Sequence, residues 1–150
     1  MTASMFFDML QDMRVTIEYV DLSDKARLGE YIHARRVVRL HHDLSPRELP
    51  YVLGHETYHA LNEDVPTSSG YFDERMERRA DEWSATHCID ISDFKESEVQ
   101  FSGHVPTMAF HLGVPDEAIL VFRQRLQRIG DDIYMSPRMG TGQWAKKMRA

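Results

Sequence analysis

The sequence predicts an α+β fold in which a small antiparallel three-stranded sheet packs on a pair of helices and is followed by a helical C-terminal extension. Three observations support this prediction: short β-branched segments near the N-terminus, two segments of helical periodicity after them, and later helical segments separated by Gly and Pro. With 150 residues, the chain can form one compact domain with a real core. We divide it into a core at 1–91, a helical extension packed on that core at 92–129, and a loosely ordered tail at 130–150.

The N-terminal elements are predicted to be one helix and three strands. Residues 1–13 form a short amphipathic helix with the apolar residues Phe6, Phe7, Met9, Leu10 and Met13. The β-branched, alternating segment 15–20 is a strand, and segments 29–33 and 36–41 are two more, joined by a tight turn at Ala34-Arg35. Together they suggest a small antiparallel sheet that leads directly into the next helix.

That next helix carries an H-E-x-x-H motif at residues 55–59. A capping box at Ser45-Pro46-Arg47-Glu48 starts the helix well before the motif. Because positions i and i+4 share one face of a helix, His55 and His59 can direct two imidazoles at one metal ion. Glu56 lies about 100° round the helix, badly placed as a third ligand but within reach of an attacking water. This is the geometry of a general base.

A catalytic zinc of this type has three protein ligands and one open position, so a second helix must supply the third ligand. One helical face downstream carries Glu77, Ala80, Asp81, Ser84 and Cys88. We assign Glu77 as the ligand and Asp81 as the acceptor of the free ring N–H of a ligating histidine. The alternative is an ordinary charged surface helix, which the pairing with the upstream motif disfavours. His41 and His42 are further candidate ligands, although histidines at a strand end are more often exposed polar residues.

The two motifs together resemble a known family. His55-Glu56-x-x-His59 after a strand-rich segment, followed by Glu77-x-x-Ala80-Asp81-x-Trp83-x-Ala85 about twenty residues later, resembles the zincin-like ImmA/IrrE family of zinc metallopeptidases of bacteria, mobile elements and phages. The resemblance covers roughly residues 14–90. It implies His55, His59 and Glu77 as zinc ligands and Glu56 as the catalytic base. It also implies that an edge strand of the sheet holds the substrate backbone by strand addition.

The chain departs from the family at one point within the motif. Family members commonly carry Leu-Gly between the glutamate and the second histidine, whereas this chain has Thr57-Tyr58. The departure leaves the metal ligands unchanged and affects the expected shape of the substrate groove.

Composition excludes several other classes of protein. The net charge of −6 disfavours general nucleic-acid binding, which usually needs a clustered positive face. Cys88 is the only cysteine, so an internal disulfide is impossible and a reducing, intracellular setting is expected. The resemblance implies the cytoplasm of a bacterium or of a phage-infected cell. The N-terminus has no basic n-region and its apolar residues are interrupted by Asp8 and Asp12, so neither a signal peptide nor a membrane span is predicted.

The C-terminal half is predicted to be helical. Residues 62–73 have loop composition, the helix of Glu77 runs to about Ile89, and another starts at Ser92. Two helices in 105–126 are separated at Leu112-Gly113-Val114-Pro115 and resemble a helix-turn-helix. However, Asp116 and Glu117 open the second helix, where they would repel DNA phosphates. We therefore expect this pair to close the core or dock a protein.

These observations predict a zinc-dependent metalloendopeptidase that cleaves a regulatory protein, such as a transcriptional repressor or an antitoxin-like regulator; the nature of this partner is implied by the resemblance. The alternative is a non-catalytic zinc-binding regulatory module that acts by binding a partner protein. Stabilisation of the oxyanion needs a further donor, for which the candidates by residue type are Tyr31, Tyr71 and His104. The sequence does not indicate an oligomeric state.

Overall fold

The structure is a computed structural model that describes the backbone of residues 2–129, 132–134 and 144–146, and the side chains of residues 3–127. It divides into two compact units, one up to Cys88 and one from Ile89 onward. The first unit contains α1 (Thr2–Asp12), β1 (Thr16–Val20), β2 (Gly29–Ile32), β3 (Val37–His41), α2 (Glu48–Leu61) and α3 (Gly70–Cys88). The second contains α4 (Ile91–Gln100), α5 (Val105–Leu112), α6 (Asp116–Ile129), β4 (Asp132–Tyr134) and β5 (Trp144–Lys146). The chain is thus α+β, as the sequence predicted.

The sheet of the first unit is mixed, so the prediction of an antiparallel sheet is wrong for one of its two strand pairs. The strand order is β1-β3-β2, with β3 antiparallel to β2 but parallel to β1. The β1–β2 connection passes over the end of β3, where the backbone N–H of His41 donates to the Leu28 carbonyl at 2.8 Å. There the backbone N–H of Leu22 also donates to His41 Nδ1 at 3.1 Å. Alternation of apolar residues predicts which face of a strand is buried, but not which neighbour it pairs with or in which direction.

The two faces of this sheet differ in polarity. Val38 and Leu40 of β3 are fully buried and belong to the core, which also takes in Phe6 and Leu10 of α1 and Leu53 of α2. The opposite face carries charges: Arg39 Nη1 lies 2.9 Å from Glu30 Oε1, and Arg39 Nε lies 3.6 Å from Glu18 Oε2. The apolar face therefore holds α1 and α2 against the sheet.

Close approach of α2 and α3 depends on small residues. A Cβ on Gly54 would lie 2.4 Å from Ser84 Oγ and 2.8 Å from the ring of Phe6. Ser84 Oγ donates a hydrogen bond to the Tyr51 carbonyl at 2.6 Å, and Ala80 is fully buried. This contact places the residues before Ser84 on α3 opposite the motif on α2.

The predicted capping box before α2 is confirmed, although α2 itself begins at Glu48, three residues after Ser45, where the sequence placed its start; the predicted loop before α3 is also revised. Ser45 Oγ accepts from the Glu48 N–H at 3.2 Å while Glu48 Oε2 accepts from the Ser45 N–H at 3.1 Å, which is the capping box. α3 begins at Gly70, so the end of the predicted 62–73 loop is helical. Asp73 explains this early start, because its Oδ1 accepts from both the N–H and the hydroxyl of Thr67 and so orders the residues before the helix.

In the second unit, Gly113 ends α5 with a φ of 70°, which confirms the predicted break before α6. The rings of Phe94 and Phe122 lie 4.8 Å apart in its core. β4 and β5 form an antiparallel pair; the rest of the predicted 130–150 tail lies outside the described residues. Within the part of the chain that is described, no helix has the length and apolarity needed to span a bilayer.

Candidate metal centre

Three side chains from α2 and α3 converge at one point. His55 and His59, one turn apart on α2, direct their Nε2 atoms to within 3.1 Å of each other. Glu77 reaches across from α3, with Oε2 2.8 Å from His55 Nε2 and Oε1 3.0 Å from His59 Nε2. The structure therefore brings together the three residues that the sequence assigned as ligands.

The spacing of these atoms fits a metal ion. Ligand atoms about 2.0–2.1 Å from a tetrahedral zinc are about 3.3 Å apart, so shifts of a few tenths of an ångström would open the cluster around a cation. His55, His59 and Glu77 form a group that could hold a metal ion. The Glu77 side chain is 59% exposed, so the site is open to solvent.

Each histidine also contacts a carboxylate through its other ring nitrogen. Asp81 Oδ1 lies 2.7 Å from His55 Nδ1, the contact expected from the sequence. Asp64 Oδ2 lies 2.9 Å from His59 Nδ1, a contact that sequence reasoning missed. Asp64 reaches back because Glu63 turns the chain with a φ of 53° and the Asp64 N–H donates to the His59 carbonyl at 3.0 Å. The one feature of the sequence that could have indicated this contact is an acidic residue five positions after the second histidine.

The carboxylates determine the protonation of the metal-free site. Burial alone would lower the pKa of His55, but hydrogen bonds to Asp81 and Glu77 outweigh it and raise this pKa from 6.5 to about 10. Hydrogen bonds from His55 and His59 hold the pKa of Glu77 well below its usual range. Without a metal, His55 therefore holds a proton, and its positive charge offsets part of the negative charge of the neighbouring carboxylates. A divalent cation binding here would replace that proton.

Glu56 lies beside the cluster but does not belong to it. Its side chain is 5% exposed, and burial raises the pKa of its carboxyl. Gly29 of β2 lies directly against it, since a Cβ on Gly29 would be 3.1 Å from Glu56 Oε1. The base predicted from the sequence is thus buried between α2 and the start of the edge strand β2.

An open cleft of about 640 Å³ gives access to these residues. Its lining includes His55, Glu56, His59, Asp64 and Glu77, together with residues of β2 and the turn after it, among them Tyr31 and His33. The edge strand β2 and the three proposed ligands therefore face the same cleft.

The other candidates lie elsewhere. Among the described residues, Tyr71 is 66% exposed and does not line this cleft, and His104 belongs to the second unit, where its Nδ1 lies 2.7 Å from Thr107 Oγ1. His41 and His42 form a separate group of possible ligand atoms with Asp21 and take no part in the cluster of His55.

Comparison with known proteins agrees with this geometry. A family model for the peptidase M78 family, described as the IrrE N-terminal-like domain, matches residues 10–127, which include every residue of the candidate centre. Searches of curated proteins and of solved structures found no match. The match spans well over half of the chain, and the family is one of peptidases. The chain therefore belongs to the peptidase M78 family of IrrE N-terminal-like domains, the ImmA/IrrE family.

Proposed function

We propose that this protein is a zinc-dependent metalloendopeptidase. The observation that carries the proposal is the convergence of His55 Nε2, His59 Nε2 and Glu77 Oε beside a buried glutamate that is not part of the cluster. Two imidazoles and one carboxylate, with one side open, are the ligand set of catalytic zinc in peptidases. Sites for magnesium or calcium are instead built from oxygen ligands. Membership of a peptidase family supports hydrolysis of a peptide bond as the reaction.

In the proposed mechanism the three ligands hold the zinc and Glu56 transfers the protons. When bound, zinc lowers the pKa of a water molecule and polarises the carbonyl of the scissile bond. Glu56 accepts a proton from the attacking water and delivers it to the nitrogen of the leaving amine. Burial suits Glu56 to both steps, because a raised pKa brings its carboxyl closer to the working pH.

Asp81 and Asp64 hold the two histidines in the tautomer that presents Nε2 as the ligand atom. Each accepts the Nδ1–H of its imidazole, at 2.7 Å for His55 and 2.9 Å for His59. A carboxylate in this position fixes the ring orientation and increases the basicity of the ligand. The pair of aspartates therefore explains how two histidines on one helix are kept directed at one point.

The proposed substrate is a regulatory protein, such as a transcriptional repressor or an antitoxin-like regulator, cleaved at a specific site. The resemblance to the ImmA/IrrE family supports this substrate class. The cleft between β2 and α3 supports an extended polypeptide as the bound form, since an edge strand offers unpaired backbone groups.

The test is hydrolysis of a proteome-derived peptide library, read by mass spectrometry so that cleavage at one specific site is detected, by protein stripped of metal and then reloaded with zinc. We expect reloading to restore cleavage in the wild type but not in Glu56→Gln, which keeps the ligands and loses the base. Glu82→Gln, a change on α3 outside the cluster, serves as the matched control and should cleave like the wild type. Cleavage by Glu56→Gln at the wild-type rate, or zinc-independent cleavage, would contradict the proposal. Zinc binding without any hydrolysis would favour the non-catalytic regulatory module instead.

A further inference from the structure

Tyr31 and His33 form a hydrogen-bonded pair in the cleft of the candidate metal centre. Tyr31 Oη lies 2.8 Å from His33 Nδ1, and both residues line the space that also contains Glu56 and the three proposed ligands. Tyr71 and His104, the other two donors suggested by residue type, do not line it among the described residues.

The position of Tyr31 follows from the register of β2. Tyr31 pairs with Val38 of β3, so its ring lies on the core-facing side of the sheet and packs against the core. Gly29 is two residues earlier on the same side of the strand and lies against Glu56. The side of β2 that faces the proposed base therefore also carries the tyrosine.

The pair keeps one hydrogen-bond donor outside its mutual contact in either arrangement of its protons. If His33 Nδ1 carries the hydrogen and donates to Tyr31, the phenolic O–H is free to point into the cleft. If Tyr31 donates to Nδ1, His33 keeps an N–H at Nε2. Burial raises the pKa of Tyr31, so its hydroxyl stays protonated at neutral pH. A neutral donor that is already in position can stabilise negative charge as it develops on a substrate oxygen, because little rearrangement of the protein is needed.

We propose that Tyr31 is a catalytic residue whose hydroxyl, held by His33, donates a hydrogen bond to the scissile carbonyl oxygen as that oxygen becomes negatively charged. His33 is the positioning residue. The inference rests on the proposed peptidase function, because it requires a peptide carbonyl in the cleft. It adds a donor from the edge strand to the residues supplied by α2 and α3.

The experiment compares the binding of two peptide-like probes to the zinc-loaded protein. One is a phosphonamidate peptide, whose tetrahedral anionic oxygens imitate the developing oxyanion; the other is a thiol peptide, which has no such oxygens. Tyr31→Phe should weaken binding of the phosphonamidate on the order of 10²-fold and leave both thiol binding and zinc content unchanged. Tyr71→Phe, a change at an exposed tyrosine of α3, is the matched control and should leave both affinities unchanged.

The role of His33 is tested with the same two probes. His33→Ala should reproduce part of the loss for the phosphonamidate, and His33→Asn, which retains a hydrogen-bonding group near the position of Nδ1, should restore part of it. Equal weakening of both probes by Tyr31→Phe, or no weakening, would overturn the inference.

Hydrolysis of the peptide library by the wild type, measured in parallel, separates the two proposals. A wild type that binds both probes but does not hydrolyse any peptide of the library contradicts the proposed function, while the Tyr31→Phe comparison still decides the inference. A wild type that binds the thiol peptide but not the phosphonamidate contradicts the inference alone. Binding of neither probe contradicts both.

Discussion

His55 and His59 each lie between carboxylates. The negative charge of these carboxylates can be neutralised either by protons on the histidines or by a bound metal ion. Glu77 contacts both Nε2 atoms, whereas Asp81 and Asp64 contact one Nδ1 atom each. Such clustered negative charge favours a cation at the point where the Nε2 atoms meet. The outer aspartates should therefore contribute to metal affinity without being ligands.

The first prediction concerns these two aspartates. Asp81→Ala and Asp64→Ala should each weaken zinc binding about 10–100-fold without abolishing it, because each removes the acceptor that orients one imidazole. Chelator competition measures the affinity, and Glu82→Ala on α3 is the control. Wild-type affinity in either aspartate variant would remove that residue from the centre.

The second prediction concerns the pH dependence of zinc affinity. Zinc must displace the proton on His55, whose pKa is about 10 in the metal-free protein. Proton release on binding means that affinity rises with pH, and here it should keep rising above neutral pH, by up to about tenfold per unit for each proton displaced. Titrations in chelator-buffered zinc between about pH 6.5 and 8.5 test this. An affinity that levels off near pH 7, as for an ordinary histidine, would be the contrary result.

At the scale of elements, the centre depends on how closely α2 approaches α3 and β2. Because Gly54 has no side chain, Ser84 of α3 can lie close to it, and because Gly29 has none, Glu56 can lie beside the edge strand. The ligands need this proximity because Glu77 must span from α3 to both histidines of α2. Two glycines outside the cluster thus set the geometry within it.

The third prediction tests this close packing. Gly54→Ala should reduce the free energy of unfolding by about 1–3 kcal/mol, because the new methyl group would overlap Ser84 Oγ and the Phe6 ring. This loss should outweigh the roughly 1 kcal/mol that alanine contributes to a helix over glycine. Urea unfolding of the metal-free protein measures it. Gly70→Ala is the matched control, since a Cβ there would meet nothing within 4 Å; equal stabilities of the two variants would contradict the packing argument.

The sequence predicted those parts of the centre that depend on the period of a helix. His55 and His59 share a face by their spacing, and Glu77 and Asp81 share one on α3, so local geometry sufficed. Asp64 could not be predicted, because its contact depends on a turn at Glu63 with positive φ. The parallel pairing of β1 with β3 was missed for a related reason: β1 pairs with a strand that is not its sequence neighbour.

At the scale of the whole molecule, the first turn of α6 and the contacts of Arg123 bear on whether the helices of the second unit bind DNA, and the absence of DNA binding stays a prediction. Asp116 and Glu117 lie in the first turn of α6, as the sequence indicated. Arg123, one of the basic residues of that helix, is 15% exposed and lies 3.2 Å from Glu98, whose side chain is 1% exposed. Its guanidinium also donates to the Gly103 carbonyl at 3.2 Å. Arg123 is therefore engaged within its own unit.

The fourth prediction follows from this ion pair. Arg123→Ala should lower the free energy of unfolding by about 3–5 kcal/mol, because it removes the guanidinium that lies 3.2 Å from the buried Glu98 carboxylate. Arg79→Ala, at an exposed position of α3, should change stability by less than about 0.5 kcal/mol.

The wild type should not bind duplex DNA in a salt-sensitive manner. Salt-sensitive binding that is lost in Arg123→Ala while stability is retained would instead assign this arginine to DNA.

The central claim is that His55, His59 and Glu77 bind zinc while Glu56 serves as the base. Zinc content per chain, measured on purified Glu56→Gln and His59→Ala after identical loading and removal of excess metal, tests it most directly. We expect one zinc per chain in Glu56→Gln, as in the wild type, and a loss of zinc from His59→Ala. Loss of zinc from Glu56→Gln as readily as from His59→Ala would contradict the claim.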